Sequence, residues 1–363
     1  MAQGSKVLPA IAPAAALGVA LVGFAFGKNL AGPIAGLLPV VEFIALLCAV
    51  FAAVHHADVI AHRTGEPYGT LVLTVAVTII EVALILSIMF AGDGSPFLAR
   101  DTVMAVIMIV CNGLVGVCVI LGGLRYGEQG FRTTGASAYL VVLMPLVTLT
   151  LILPNYTTSV PGPFYSTVQL VFVSVATLTL YGAFLYVQTV RHRDYFLSDD
   201  GEDDLHPDML PDNRTLVISV VQLLVGLTAV VLLAKVFAKS VDGVIDYLDA
   251  PAAVAGILVA GLVLLPETLS AIRAARLNRL QKSLNLALGS SLATIGLTIP
   301  AVAILSIFLG KPLGLGLTTS ETVLVALTLA VSLITFGSGR TNILPGFVHL
   351  VLFATFIFLV FAP

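Results

Sequence analysis

Charge is what this sequence has least of. Only 10% of its 363 residues are Asp, Glu, Lys or Arg, and 58% are hydrophobic. A soluble domain carries about 25% charged residues and cannot hide so much apolar surface. Tryptophan is absent and there are three cysteines. Cys48, Cys111 and Cys118 each lie inside an apolar run, which excludes a disulfide scaffold and reads as small buried hydrophobes. The net charge of -3, with no basic stripe, excludes nucleic-acid binding. No phosphate-binding loop occurs: Gly23 to Lys28 has the wrong spacing and is followed by Asn29, so ATP-driven transport has no support. Neither a GxSxG nor an HExxH motif is present.

What is present is a series of apolar runs. A helix needs about 20 residues to cross a hydrocarbon core. Uncharged runs cover 7–27, 102–124, 215–234, 283–310, 322–339 and 341–363. The stretch 133–190 holds no charge and is split into two spans by turn-formers from Pro154-Asn155-Tyr156 to Pro161-Gly162-Pro163. Runs 67–91 and 251–271 are each interrupted by a single acid, and 34–61 by Glu42, with Asp58 near its end. The total is eleven spans in an all-α, polytopic membrane protein. The first apolar stretch is too long for a secretory leader and reads as a transmembrane helix. Twelve of the 17 Lys and Arg fall on one side if the N-terminus is cytoplasmic; only Lys28, Arg100, Lys235, Lys239 and Lys311 fall outside. That predicts a cytoplasmic N-terminus and an external C-terminus.

Residues 191–214 carry eight of the twenty acids and read as a solvated linker, without the ligand pattern of an EF-hand. The linker separates two similar halves. Glu66-Pro67 opens an apolar helix that reaches Glu81, and Asp249-Ala250-Pro251 opens another that reaches Glu267. Each is followed by a helix with small or polar residues at four-residue spacing, Asn112 and Gly116 in one, Ser290 and Thr294 in the other. The second Pro-to-Glu helix lies five spans after the first, which inverts it. The expected organisation is an extra helix over 1–30, a first repeat over 31–190, the linker over 191–214 and an inverted second repeat over 215–363. Inverted repeats with a site near the bilayer midplane are a transporter signature.

Most acids fit loops or helix ends; Glu42, Glu81, Glu267 and Glu321 do not. A charge at the bilayer centre costs at least about 2.5–3.5 kcal/mol, so such residues usually face a polar pathway. Glu321 follows Ser320 at a helix start, where the dipole welcomes an anion. Glu42 has no counterpart in the other half. Glu81 and Glu267 sit mid-span at equivalent places. Two such carboxylates repel in low dielectric, so the pair holds protons until a cation replaces them. A hard cation such as Ca²⁺ wants six to eight oxygens. Thr78, Asn112, Ser290, Ser291 and Thr294 are candidate auxiliary ligands. Pro266 lacks an N–H and frees the carbonyl of Leu262, which predicts an unwound cation ligand before Glu267. His55, Asp58 and His62 share one face near the end of span two and read as an interfacial polar cluster. Alternatively they relay protons, with Glu66 beyond them, or ligate a metal. His349, in the last span, reads as a satisfied bundle residue.

Ala57-Asp58, Glu66-Pro67-Tyr68-Gly69-Thr70 and the run to Glu81-Val82-Ala83-Leu84-Ile85 form one motif. Pro266-Glu267-Thr268-Leu269-Ser270-Ala271-Ile272 with Leu286 to Thr294 forms a second. Together with the acidic linker and Gly122-Gly123-Leu124-Arg125-Tyr126, they resemble the bacterial calcium/proton antiporters of the cation/Ca²⁺ exchanger superfamily, from about residue 34 onward. The resemblance implies a secondary transporter of the bacterial inner membrane, not an enzyme. It would exchange cytoplasmic Ca²⁺ for external protons and need no cofactor. Glu81 and Glu267 become the central cation-binding carboxylates, Asn112 a small polar ligand and Ser290 its partner. Gly116 stands where many relatives carry Asn, and Thr294 where some carry Asn or Asp. Fewer strong ligands than in sodium/calcium exchangers favours proton coupling. The rivals are a Na⁺(K⁺)/H⁺ antiporter using the same carboxylates, a membrane-embedded metal hydrolase built on His55, Asp58 and His62, and a passive channel.

Overall fold

The computed structural model describes residues 4–26, 33–65, 68–89, 95–196 and 211–362. Within hydrocarbon every backbone polar group needs a partner in its own segment, and the apolar runs accordingly fold as helices. They are α1 (Gly4–Phe26), α2 (Pro33–Thr64), α3 (Tyr68–Met89), α4 (Leu98–Met108), α5 (Val115–Tyr126), α6 (Thr133–Val147) and α7 (Thr167–Tyr186). After the linker come α8 (Asn213–Leu248), α9 (Ala253–Arg276), α10 (Leu280–Ala293), α11 (Ile299–Leu309), α12 (Thr319–Gly337) and α13 (Ile343–Phe361). Two strands, β1 (Gln129–Gly130) and β2 (Arg340–Thr341), pair antiparallel. Short π-helical turns join α4 to α5 and α10 to α11, so Leu98–Tyr126 and Leu280–Leu309 are each one continuous span. Among the described residues ten helical segments are long and apolar enough to cross a membrane, and α1 contains a shorter apolar stretch, Ile11–Ala25. Of the linker, residues 197–210 lie outside the described residues, and so do Glu66 and Pro67.

One departure from the expected spans concerns α8. It does not stop near Lys235 but runs on to Leu248, 36 residues in all, so Lys235, Lys239, Asp242 and Asp246 ride on the helix rather than in a loop. Spacings of four, three and four residues keep these charges near one face, and the helix ends where Asp249 takes a left-handed conformation. At its start the Asp212 carboxylate accepts from Thr215 N at 2.9 Å. The Thr215 side chain and backbone hold that carboxyl below its ordinary range.

The chain forms two compact units. The first comprises Met1–Gly94 and Leu205–Ala250. Its helices α1, α2, α3 and α8 pack through small residues: Ala49 and Ala53 of α2 are buried against Gly226 of α8. Pro13 sits inside α1 without an N–H, leaving the carbonyl of Pro9 without its helical partner. His56 of α2 supplies one, its Nε2–H donating to Pro9 O at 3.0 Å. Nδ1 of the same ring is then the acceptor, and Ser219 Oγ of α8 stands 3.3 Å away. One imidazole thus ties three helices. His56→Ala should leave two buried groups unmatched at about 1–3 kcal/mol each. The expected result is a lower unfolding midpoint of the detergent-solubilised protein, with a smaller loss in His56→Gln. Farther along the same helices, a Cβ on Gly23 of α1 would fall 2.1 Å from Oε1 of buried Glu42. Glycine there makes room for that carboxyl.

The second unit comprises Ser95–Asp204 and Pro251–Pro363. Its centre is α4, of which every residue except the first-turn Arg100 is buried. Gly256 of α9 lets that helix reach the α4 backbone: a Cβ there would lie 2.7 Å from Asp101 C and Thr102 N. The loops at one end of this unit are bonded to one another. β1 pairs with β2, Gln129 Nε2 donates to Asn278 Oδ1 at 2.9 Å, and Arg132 N donates to Gln281 Oε1 at 2.7 Å. Arg125, Arg132, Arg273, Arg276, Arg279 and Arg340, expected to share one side of the membrane, all lie at this end. At the other end the segment Leu313–Leu317 is held by other loops: Gly314 N donates to Pro96 O, Leu315 N to Pro163 O and Leu317 N to Leu151 O. Arg100 and Lys311, expected to share the opposite side, lie there. The loops therefore sort into the two groups that the charge pattern requires.

Candidate cation site

In the first unit the candidate carboxyl is Glu81, buried two turns before the end of α3 at 1% exposure. It follows a ladder of threonines at four-residue spacing. Thr78 Oγ–H donates to Thr74 O at 2.8 Å, and Thr74 Oγ–H to Thr70 O at 2.9 Å. With their protons spent on the backbone, these hydroxyls present oxygen lone pairs, the chemistry a cation takes. On α2, His55, Asp58 and His62 are all exposed; the inward histidine is His56, which the spacing argument passed over. Among the described residues no three His, Cys, Asp or Glu side chains converge to hold a metal.

In the second unit Glu267 is half-buried on α9, one residue after Pro266. The expected unwinding at this proline does not occur. The α9 helix runs unbroken from Ala253 to Arg276, and Ser270 Oγ–H donates to Pro266 O at 2.9 Å. Departure from regular helix lies instead on the neighbouring elements. Asn112 sits in the π-helical turn Ile109–Leu114, and Thr294 opens the π-helical turn Thr294–Thr298. Two further π turns, Thr148–Ile152 and Val187–Arg191, close α6 and α7. π turns widen a helix locally and are frequent at functional sites. The turn carrying Asn112 packs against both α9 and α10, so the elements bearing Glu267, Asn112, Ser290, Ser291 and Thr294 adjoin. Ser291 and Thr294 are buried and Ser290 is half-buried.

Gly116 is not a ligand position in this chain. A Cβ there would lie 3.0 Å from Gly346 O of α13, and one on Gly346 would lie 3.0 Å from Gly116 O. Glycine is needed because two helix backbones touch. Asn112 is also engaged: its Nδ2 donates to Thr328 Oγ1 at 2.8 Å, and its Oδ1 lies 3.0 Å from Nδ1 of buried His349. His349 is thus the satisfied bundle residue expected, but its partner is a candidate ligand. Glu321 is a cap: its carboxylate accepts from Thr318 N at 2.8 Å, while Glu321 N donates to Thr318 Oγ1 at 3.4 Å. Asp101, placed by sequence at a helix end, is there but buried, with Arg100 Nη2 2.7 Å from its Oδ1.

Residues 34–190 and 218–362 match the family model described as sodium/calcium exchanger protein. The chain belongs to that family. Sodium/calcium exchanger family membership makes it a multi-span cation transporter, and the two matched stretches coincide with the two halves on either side of the acidic linker. The chain is 48% identical, over 87% of its length and 86% of the relative's, to a protein described as putative ionic transporter y4hA of Sinorhizobium fredii (strain NBRC 101917 / NGR234). It is 38% identical to the sodium-potassium/proton antiporter ChaA of Escherichia coli (strain K12), over 94% of this chain and 93% of that one. Its fold is that of native YfkE, with a TM-score of 0.73 at 17% identity, covering 97% and 99% of the two chains.

Proposed function

We propose that this exchanger-family protein is a cation/proton antiporter in which Glu81 and Glu267 carry the exchanged protons. The observation that supports this most is their equivalence: two glutamates in apolar helices, at matched places in two inverted halves, one of them wholly buried. A carboxyl in such a setting is neutral or paired with a cation, because a lone charge there is costly. Cation and protons therefore displace each other. If both glutamates exchange, one Ca²⁺ balances two protons, the cycle is electroneutral, and its rate does not depend on voltage. Thr78, Ser290, Ser291 and Thr294 supply neutral oxygens in this reading, and Asn112 supplies another. His55, Asp58, His62 and Glu66, at the end of span two, are the candidate entry for protons in this reading. In this reading the protein sits in a bacterial inner membrane with its N-terminus cytoplasmic, as the excess of Lys and Arg favours, so that Ca²⁺ leaves as protons enter.

A second reading has Na⁺ or K⁺ as the expelled cation. It is favoured by the likeness, over nearly the whole chain, to the sodium-potassium/proton antiporter of Escherichia coli.

Inside-out vesicles with an acid interior test both. Ca²⁺ added outside is expected to collapse the pH gradient, at a rate unaffected by a clamped voltage. Collapse by Na⁺ or K⁺ alone assigns the second reading. No response to any of the three cations rejects antiport.

A further inference from the structure

The second unit contains a buried polar chain that the exchange chemistry leaves unexplained. It runs from Thr335 of α12 through His349 of α13 and Asn112 of the π turn to Thr328 of α12 and Met108 of α4. Asn112, Thr328 and His349 have no exposed surface, and Thr335 has 5%. Its hydrogens can be placed from the partners. Thr328 Oγ–H points at Met108 Sδ, 3.6 Å away, so the Thr328 oxygen accepts from Asn112 Nδ2. That fixes the carboxamide with its oxygen toward His349, where Nδ1 must be the donor at 3.0 Å. Nε2 is then an acceptor, and Thr335 Oγ–H supplies the bond at 3.1 Å. The ring lies nearly parallel to Phe336, 6.4 Å between centroids, which limits its rotation.

A carboxamide presents either an oxygen, which a cation binds, or an NH₂, which repels it. Thr328 holds only the NH₂ end of Asn112; the oxygen end is held by His349. We propose that His349 is a positioning residue for cation binding: its Nδ1–H holds Asn112 with the oxygen ordered as a cation ligand. This rests on the antiporter reading and on Asn112 being one of its ligands. An amide oxygen has two lone pairs, so accepting from His349 leaves one for the cation. Partners that orient a metal ligand typically set affinity by about 10–100-fold. His349 carries no exchanged proton in this scheme.

The structure dictates the Nδ1–H tautomer, which nitrogen NMR of histidine-labelled protein in detergent reads directly, with His349→Gln identifying the signal. The Nε2–H tautomer would overturn the proposal. In inside-out vesicles, His349→Gln places its amide where Nε2 stood; it reaches Thr335 but not Asn112. Its KM for Ca²⁺ (or for Na⁺, if that is the ion the wild type moves) is expected to rise about tenfold or more, with maximal rate little changed. His349→Asn places an N–H donor where Nδ1 stood and is expected to retain most of the affinity. An equal rise in both variants, or a rise in neither, overturns the positioning role. A wild type that exchanges no cation for protons overturns the antiporter reading, and the tautomer is measured without transport.

Discussion

Glu81→Gln and Glu267→Gln are each expected to reduce cation-driven collapse of the pH gradient to the level of vesicles lacking the protein. Glutamine preserves the volume and the hydrogen-bonding reach of the side chain but can neither release a proton nor balance a cation. Both variants should still insert and purify as a monodisperse species, because removing an ionisable group from an apolar helix relieves a cost rather than imposing one. Exchange activity together with gel filtration in detergent separates the two effects. Full exchange by either variant would reject the assignment of the carboxylates. Glu42→Gln is the informative control. Glu42 is buried too, but against Gly23 of α1, so exchange is expected to persist in that variant.

The second large effect is on stability. Asp101 is buried at 6% exposure, and its partner Arg100 contributes an ion pair at 2.7 Å, a bond from Nη1 to Gly316 O at 3.2 Å and a position 4.5 Å over the Phe97 ring. Arg100→Met leaves a buried carboxylate without its counter-charge. Losses of this kind run to about 3–5 kcal/mol. The same change releases the buried Leu313–Leu317 segment at Gly316. Thermal unfolding of the solubilised protein is therefore expected to move to markedly lower temperature in Arg100→Met. Adding Asp101→Asn should recover much of the loss, because no charge is left stranded. Arg100→Lys should recover only part, since an ammonium cannot serve the carboxylate, the carbonyl and the ring together. A single variant that unfolds like the wild type would show that the pair contributes nothing.

The spans were legible because hydrocarbon imposes a length scale that charged residues mark. The departure at α8 has a physical source: Lys235 and Lys239 mark the end of an apolar run, but a helix leaving the bilayer can carry charges on one face and continue. Glu321 was legible as a cap because capping is local, although the capping residue is Thr318 rather than the adjacent Ser320. Pro266 misled because a missing N–H breaks one hydrogen bond without breaking a helix that its neighbours hold. The partnership of Asn112 with His349 was out of reach, as 237 positions separate them and only packing brings them together. His56 was overlooked beside His55 for a related reason. Nothing in the local spacing shows that Pro13, on another helix, leaves a carbonyl to be claimed.

The π turns give residue number a meaning beyond length. An α-helix advances about 100° per residue, so one extra residue wound into a wide turn puts the two arms of a span out of phase by about that angle. In Leu98–Tyr126 the arm before Asn112 packs chiefly on α9, while the arm after it packs chiefly on α13 and also touches α9. In Leu280–Leu309 the change of phase falls at Thr294. A one-residue deletion within either turn would lengthen no loop and remove no named side chain if it fell on an apolar position. It would nevertheless rotate half a span against the other half and carry its polar groups to a different azimuth. For these two helices insertion and deletion are the severe lesions, and their tally of residues is part of the specification of the site.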